Sequence, residues 1–147
     1  MSLRDWQKHN WLVEHQTSAE EVGALLSLVE RDLANARVAG LSPDWKLNIA
    51  YNAALQAATA LLAASGFRAA REQHHYRTIQ SLTLTIGWPA AKIGHFDGFR
   101  KKRNIGGYET AGLVSDQEAS EMHALASGLR DDTLAWLRKN HPKLLRR

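Results

Sequence analysis

The stretch from Ser42 to Gly66 constrains the fold more than any other part of this chain. Ser42-Pro43 is a helix start, with proline at the first helical position, where its missing N–H costs nothing. Leu47, Tyr51, Ala54, Ala58 and Leu61 then recur at helical spacing down to Gly66. The helix is rich in alanine, so its neighbours can approach its backbone closely. A chain built around such a rod predicts helix packed on helix.

The flanking sequence continues the pattern. Ser18-Ala19-Glu20-Glu21 reads as a capping box, serine capping the helix and glutamate returning the bond. Val22, Leu25, Leu26, Val29, Leu33 and Ala36 share one face beyond it, and Gly40 is placed to stop that helix. A third helix is predicted from about His74 to Ile86, with Tyr76, Ile79, Leu82, Thr83 and Ile86 inward. Its β-branched residues allow a strand instead, but no second strand is evident to pair with it. Gly87-Trp88-Pro89 breaks the chain. A fourth helix runs from about Ala90 to Arg103 with Ile93, Phe96 and Phe99 inward, ended by Gly106-Gly107. Ser115-Asp116-Gln117-Glu118 is a second capping box. It opens a last helix with Met122, Leu125, Ala126, Leu129, Thr133, Trp136 and Leu137 on one face, closed by His141-Pro142. The fold class expected is all-α: an antiparallel bundle of about five helices. It divides into an arm or short helix over residues 1–17, a bundle over 18–140 and a basic tail over 141–147. The arm carries Trp6 and Trp11, which call for an apolar surface on the chain's own bundle or on a second subunit.

Several function classes drop out. The chain has 147 residues, 44% of them hydrophobic and 23% charged, ordinary for one globular domain. No apolar run approaches the ~20 residues of a membrane span, so no membrane partner is expected. The first residues carry charges where a secretion signal needs an apolar core, and with no cysteine this predicts a cytoplasmic protein. Cysteine chemistry and cysteine-based zinc sites are excluded. The seven histidines form neither a His-x3-His pair nor a His-Glu-x-x-His motif, so no metal or other cofactor is expected. There is no Gly-x-Ser-x-Gly elbow and no phosphate-binding loop.

Charge is unevenly spread. The net charge is +4, but residues 1–73 carry −1 and residues 74–147 carry +5. Arg100-Lys101-Lys102-Arg103 supplies much of that excess and suits a polyanionic partner. Arg103 follows Phe96 by seven residues and Phe99 by four, which places it on the apolar side of its helix. A guanidinium there is partly desolvated and needs a carboxylate, a helix C-terminus or a phosphate. Lys101 and Lys102 point elsewhere. Asn104 is placed as a C-cap. His74 and His75 open a helix, where one ring can face an adjoining cleft.

The segment Arg103-Asn104-x-x-x-Tyr108 resembles the motif of HEPN domains, helical bundles whose arginine and a following polar residue precede a histidine. The run Tyr51–Gly66 resembles their second helix, and Arg71-Glu72-Gln73-His74-His75 the segment after it. The likeness extends over roughly residues 18–138. It implies a homodimer that brings two motifs to one cleft. It also implies either metal-independent ribonuclease activity or association with a nucleotidyltransferase partner, often as a toxin–antitoxin pair. Arg103 would engage the phosphate and Asn104 would be its polar companion. Position 108 is tyrosine where the ribonucleases have histidine. A phenol titrating near pH 10 is a poor proton shuttle at neutral pH, but it can donate to a phosphate, stack on a base or accept a nucleotidyl group.

Three functions follow. The first is a non-catalytic or weakly catalytic HEPN-like protein that binds RNA or a nucleotide, with Arg100, Lys101, Lys102, His74 and His75 as further phosphate-binding candidates. The second is a ribonuclease in which His74, His75 or His95 replaces the missing histidine. The third is a plain interaction bundle, which predicts that Arg103 pairs with Asp97 or Glu109.

Overall fold

The computed structural model describes residues 1–106 and 114–145, the side chains of 104–106 excepted. It is an all-α bundle. The helices are α1 (Leu3–Lys8), α2 (Ala19–Asn35), α3 (Pro43–Ala64), α4 (His74–Gln80), α5 (Leu82–Thr85), α6 (Ala90–Gly106) and α7 (Asp116–Asn140), followed by a 3-10 turn at Pro142–Leu145.

The alanine-rich helix α3 is the core. Ala50, Tyr51, Ala53, Ala54, Ala57, Ala58, Leu61 and Leu62 are buried completely, between α2 on one side and α7 on another. A helix apolar on nearly every face belongs inside a bundle. By length and composition α3 is also apolar enough to cross a membrane, contrary to the expectation that no run is, but most of that stretch is buried within the bundle. Val22 of α2, Ala64 of α3 and Leu137 of α7 cluster at one end. Ala36, Lys46 and Ala119 border one groove at the other. Helix α2 therefore runs antiparallel to both partners, while α3 and α7 run in the same direction.

Helix starts follow the sequence closely. The Ser115 hydroxyl accepts from the Glu118 N–H and the Glu118 carboxylate accepts from the Ser115 N–H, closing a full capping box. The Ser18 box is only half made. Ser18 accepts from the Glu21 N–H, but the Glu21 carboxylate instead receives Thr17 Oγ1 at 2.6 Å and meets His15 Nε2 at 2.6 Å. Those two contacts hold its carboxyl below the usual range, the Thr17 bond contributing most.

The expected third helix is broken at Ser81 into α4 and α5. Thr78 Oγ1 donates to the His74 carbonyl and Ser81 Oγ to the Thr78 carbonyl. Such back-bonding competes with the helix ladder and bends it. Thr83, expected inward, is exposed as a result. Helix α2 stops at Asn35, before Gly40, and α6 continues to Gly106, so Asn104 lies inside the helix rather than at its cap.

The arm folds onto its own bundle. Leu12–Glu14 (β1) pairs antiparallel with Phe67–Ala69 (β2), in the register Leu12 with Ala69 and Glu14 with Phe67. Gly66 makes this possible. Its φ of +94° turns the chain sharply out of α3 and straight into β2. Trp6, Leu12, Leu62, Phe67 and Ala69 form a small core beneath the ladder, with Trp11 packed against it.

Candidate functional site

Helices α4 and α6 face each other across a cleft of about 750 Å³. Residues 73–77 form one wall; Asp97, Arg100 and Lys101 form the other. The walls carry Arg77, Arg100 and Lys101 against one carboxylate. That carboxylate, Asp97, is buried and already engaged. Arg100 Nε donates to its Oδ1 at 2.7 Å, and Lys101 Nζ lies 3.8 Å from its Oδ2. The Asp97 bond raises the Arg100 pKa, fixing its charge. The i, i+3 and i, i+4 spacing of these residues on α6 aims both cations along one side of the helix.

Arg103 stands behind this cleft rather than on its wall. Its Cζ lies 5.1 Å from the centroid of the Tyr51 ring, a cation–π contact. Its Nε is shut away from water without a hydrogen-bond partner. Among the described residues it has no ion pair: Asp97 is taken by Arg100 and Lys101, and Glu109 lies outside the described residues. The expected desolvation on the Phe96 and Phe99 side is therefore present, and the expected pairing with Asp97 is not.

Tyr51 links Arg103 to His75. Its hydroxyl lies 3.2 Å from His75 Nδ1. Burial pushes the Tyr51 phenol up to about 12, so it stays protonated at neutral pH. His75 is half-buried on the cleft wall. Its pKa is lowered by burial first, then by the nearby charge of Arg103. The ring is thereby kept neutral, with one nitrogen occupied by Tyr51.

The other candidates are divided between this cleft and other parts of the molecule. His74 is exposed on the cleft wall, its ring 6.0 Å from that of His75. Lys102 is not on the wall; its Nζ lies 3.4 Å from Glu118 at the start of α7. His95 lies tilted against Phe99, ring centroids 4.7 Å apart, and approaches Glu121 at 3.7 Å; neither contact involves Arg103. The side chain of Asn104 and all of Tyr108 lie outside the described residues. Among the described residues no group of three metal-ligating side chains is assembled.

Sequence reasoning missed Tyr51, Tyr76 and Arg77 as site residues. Tyr51 and Tyr76 were legible only as apolar positions of a helical face. Arg77 carries no motif at all; it reaches the cleft because α4 is turned by its contacts with α3 and β2. No protein-family model, no curated protein and no solved structure matches the chain. Function therefore rests on the geometry of this cleft.

Proposed function

We propose that this protein is a HEPN-like bundle that binds RNA or a nucleotide through its phosphates in the cleft between α4 and α6. The observation that carries this reading is the charge of the walls, three cations facing one carboxylate that two of them already neutralise. The volume suits a nucleotide-sized group. Arginine beside a paired carboxylate is held in place while still presenting its remaining donors, which favours bidentate capture of phosphate. The family resemblance extends the reading to a homodimer with two such clefts and a nucleotidyltransferase as companion.

Anisotropy of a labelled mixed-sequence oligoribonucleotide, at low salt with a chelator present, tests it. Binding without cleavage is expected, weakened about tenfold by Arg100→Gln and by Lys101→Gln. If neither the oligonucleotide nor a nucleoside triphosphate binds, the reading is wrong.

A second reading, metal-independent ribonuclease, is favoured by one observation: His75 and Arg103 meet on Tyr51. If His75 Nδ1–H donates to the Tyr51 hydroxyl, Nε2 is an unprotonated acceptor. It takes the 2′-hydroxyl proton as the 2′-oxygen attacks phosphorus and the bond to the 5′-oxygen breaks. Water supplies the proton to that leaving oxygen, and Arg100 and Lys101 on the wall offset the charge building on the phosphoryl oxygens, with Arg103 adding its field from behind Tyr51. Cleavage by the wild type that His75→Gln abolishes decides for this reading. No cleavage decides against it.

A further inference from the structure

Arg77 differs from the other cations of the cleft. Among the described residues no carboxylate pairs with it. Its surroundings are aromatic faces: the Cζ lies 3.6 Å from the Trp11 ring centroid, 5.3 Å from that of Tyr76 and 5.7 Å from that of Trp6. A separation of 3.6 Å puts the guanidinium in van der Waals contact with the face of the indole. Tyr76 has a second guanidinium beside it, Arg100 at 5.5 Å. Trp11, Arg77, Tyr76 and Arg100 thus form a continuous array of flat groups that ends in the phosphate-binding wall.

The array depends on the arm. Trp11 is fixed by the ladder, its carbonyl accepting from the Ala70 N–H at 2.9 Å, and by an edge contact with Trp6 at 5.5 Å. The arm thereby seats Arg77 at the cleft without neutralising its charge. A guanidinium stacked on an indole is a delocalised plane of the right size for a nucleobase, and so is the tyrosine beside it.

From this arrangement we infer that Tyr76 and Arg77 form a stacking subsite for an unpaired nucleobase, next to the phosphate wall at Arg100 and Lys101. The ligand class is single-stranded nucleic acid. Bases within a duplex have their faces covered by neighbours and do not stack on such a platform. The inference rests on the proposed phosphate-binding role of the same cleft and adds to it the base that the phosphate carries.

Three probes separate the two ideas: a labelled single-stranded oligoribonucleotide, the same sequence annealed to its complement, and inorganic polyphosphate. The single strand is expected to bind best. Tyr76→Leu is expected to weaken it about tenfold while leaving polyphosphate binding unchanged, and Arg77→Lys to weaken it about tenfold with a smaller loss for polyphosphate. Arg77→Lys keeps the charge and removes the plane together with the paired donors of the fork. The polyphosphate probe reads the loss of the donors, so a loss greater for the single strand than for polyphosphate decides the matter even if Tyr76→Leu disturbs folding by circular dichroism. Equal binding of single strand and duplex, with Arg77→Lys behaving as wild type, overturns the stacking subsite and leaves the phosphate wall standing. Failure of all three probes to bind overturns both.

Discussion

His75 sits among groups that oppose its protonation. Burial is the larger effect and the Arg103 charge the next, both lowering its pKa from 6.5. The unfolded chain holds that proton more tightly than the fold does. His75 therefore contributes stability that is fully present above pH 6.5 and is lost as pH falls through the lower folded value. An NMR titration of its ring is expected to give a midpoint below 6.5. In Arg103→Met the midpoint rises without reaching that value, because burial remains. A wild-type midpoint at or above it means that the ring is not buried in this way, and a midpoint that Arg103→Met leaves unmoved means that His75 does not share the Arg103 environment. Tyr51 owes its place at this junction to its role in α3: a core position whose hydroxyl emerges at the back of the cleft.

At the level of elements, the two serine caps look alike in sequence and differ in space. Ser115 and Glu118 exchange both bonds, while Glu21 is drawn away by Thr17 and His15. The second arrangement clips the end of the arm to the start of α2, which a closed box would not do. Ser115→Ala is expected to destabilise the protein by about 1 kcal/mol in urea denaturation. A change within a few tenths of a kcal/mol means that other donors satisfy the α7 start. Helix α4 shows the opposite balance. It lacks a side-chain cap and is held by its packing on α3, β2 and α6, which is why its cleft-facing side chains follow tertiary contacts rather than any local signal.

Across the whole molecule, α3 joins all the apolar clusters. Ala57 and Ala58 belong to the main core, Leu62 to the cluster beneath the arm, and Ala64 to the cluster at the far end. Leu62 is fully buried, and it couples the platform under Trp11 to the bundle. Leu62→Ala is expected to cost about 2–5 kcal/mol in chemical denaturation. It is also expected to red-shift tryptophan emission as the arm loosens. An unchanged denaturation midpoint means that the arm and the bundle unfold independently.

The sequence by itself determined the helical class, the proline and serine starts of α3 and α7, and the burial of the alanine-rich rod. Each depends on neighbours within a turn or two, where periodicity and capping chemistry decide. The desolvation of Arg103 was legible for the same reason, since Phe96 and Phe99 lie on its own helix. Only the tertiary structure decided the rest. The β1–β2 ladder pairs three-residue segments more than fifty positions apart, too short to signal themselves. The break at Ser81 arises from side-chain bonds that propensity does not record. The cleft joins residues 73–77 to residues on α6, and its platform needs Trp11 from the arm. Contacts between segments so distant in sequence are set by how the elements pack on α3, and no local pattern contains that information.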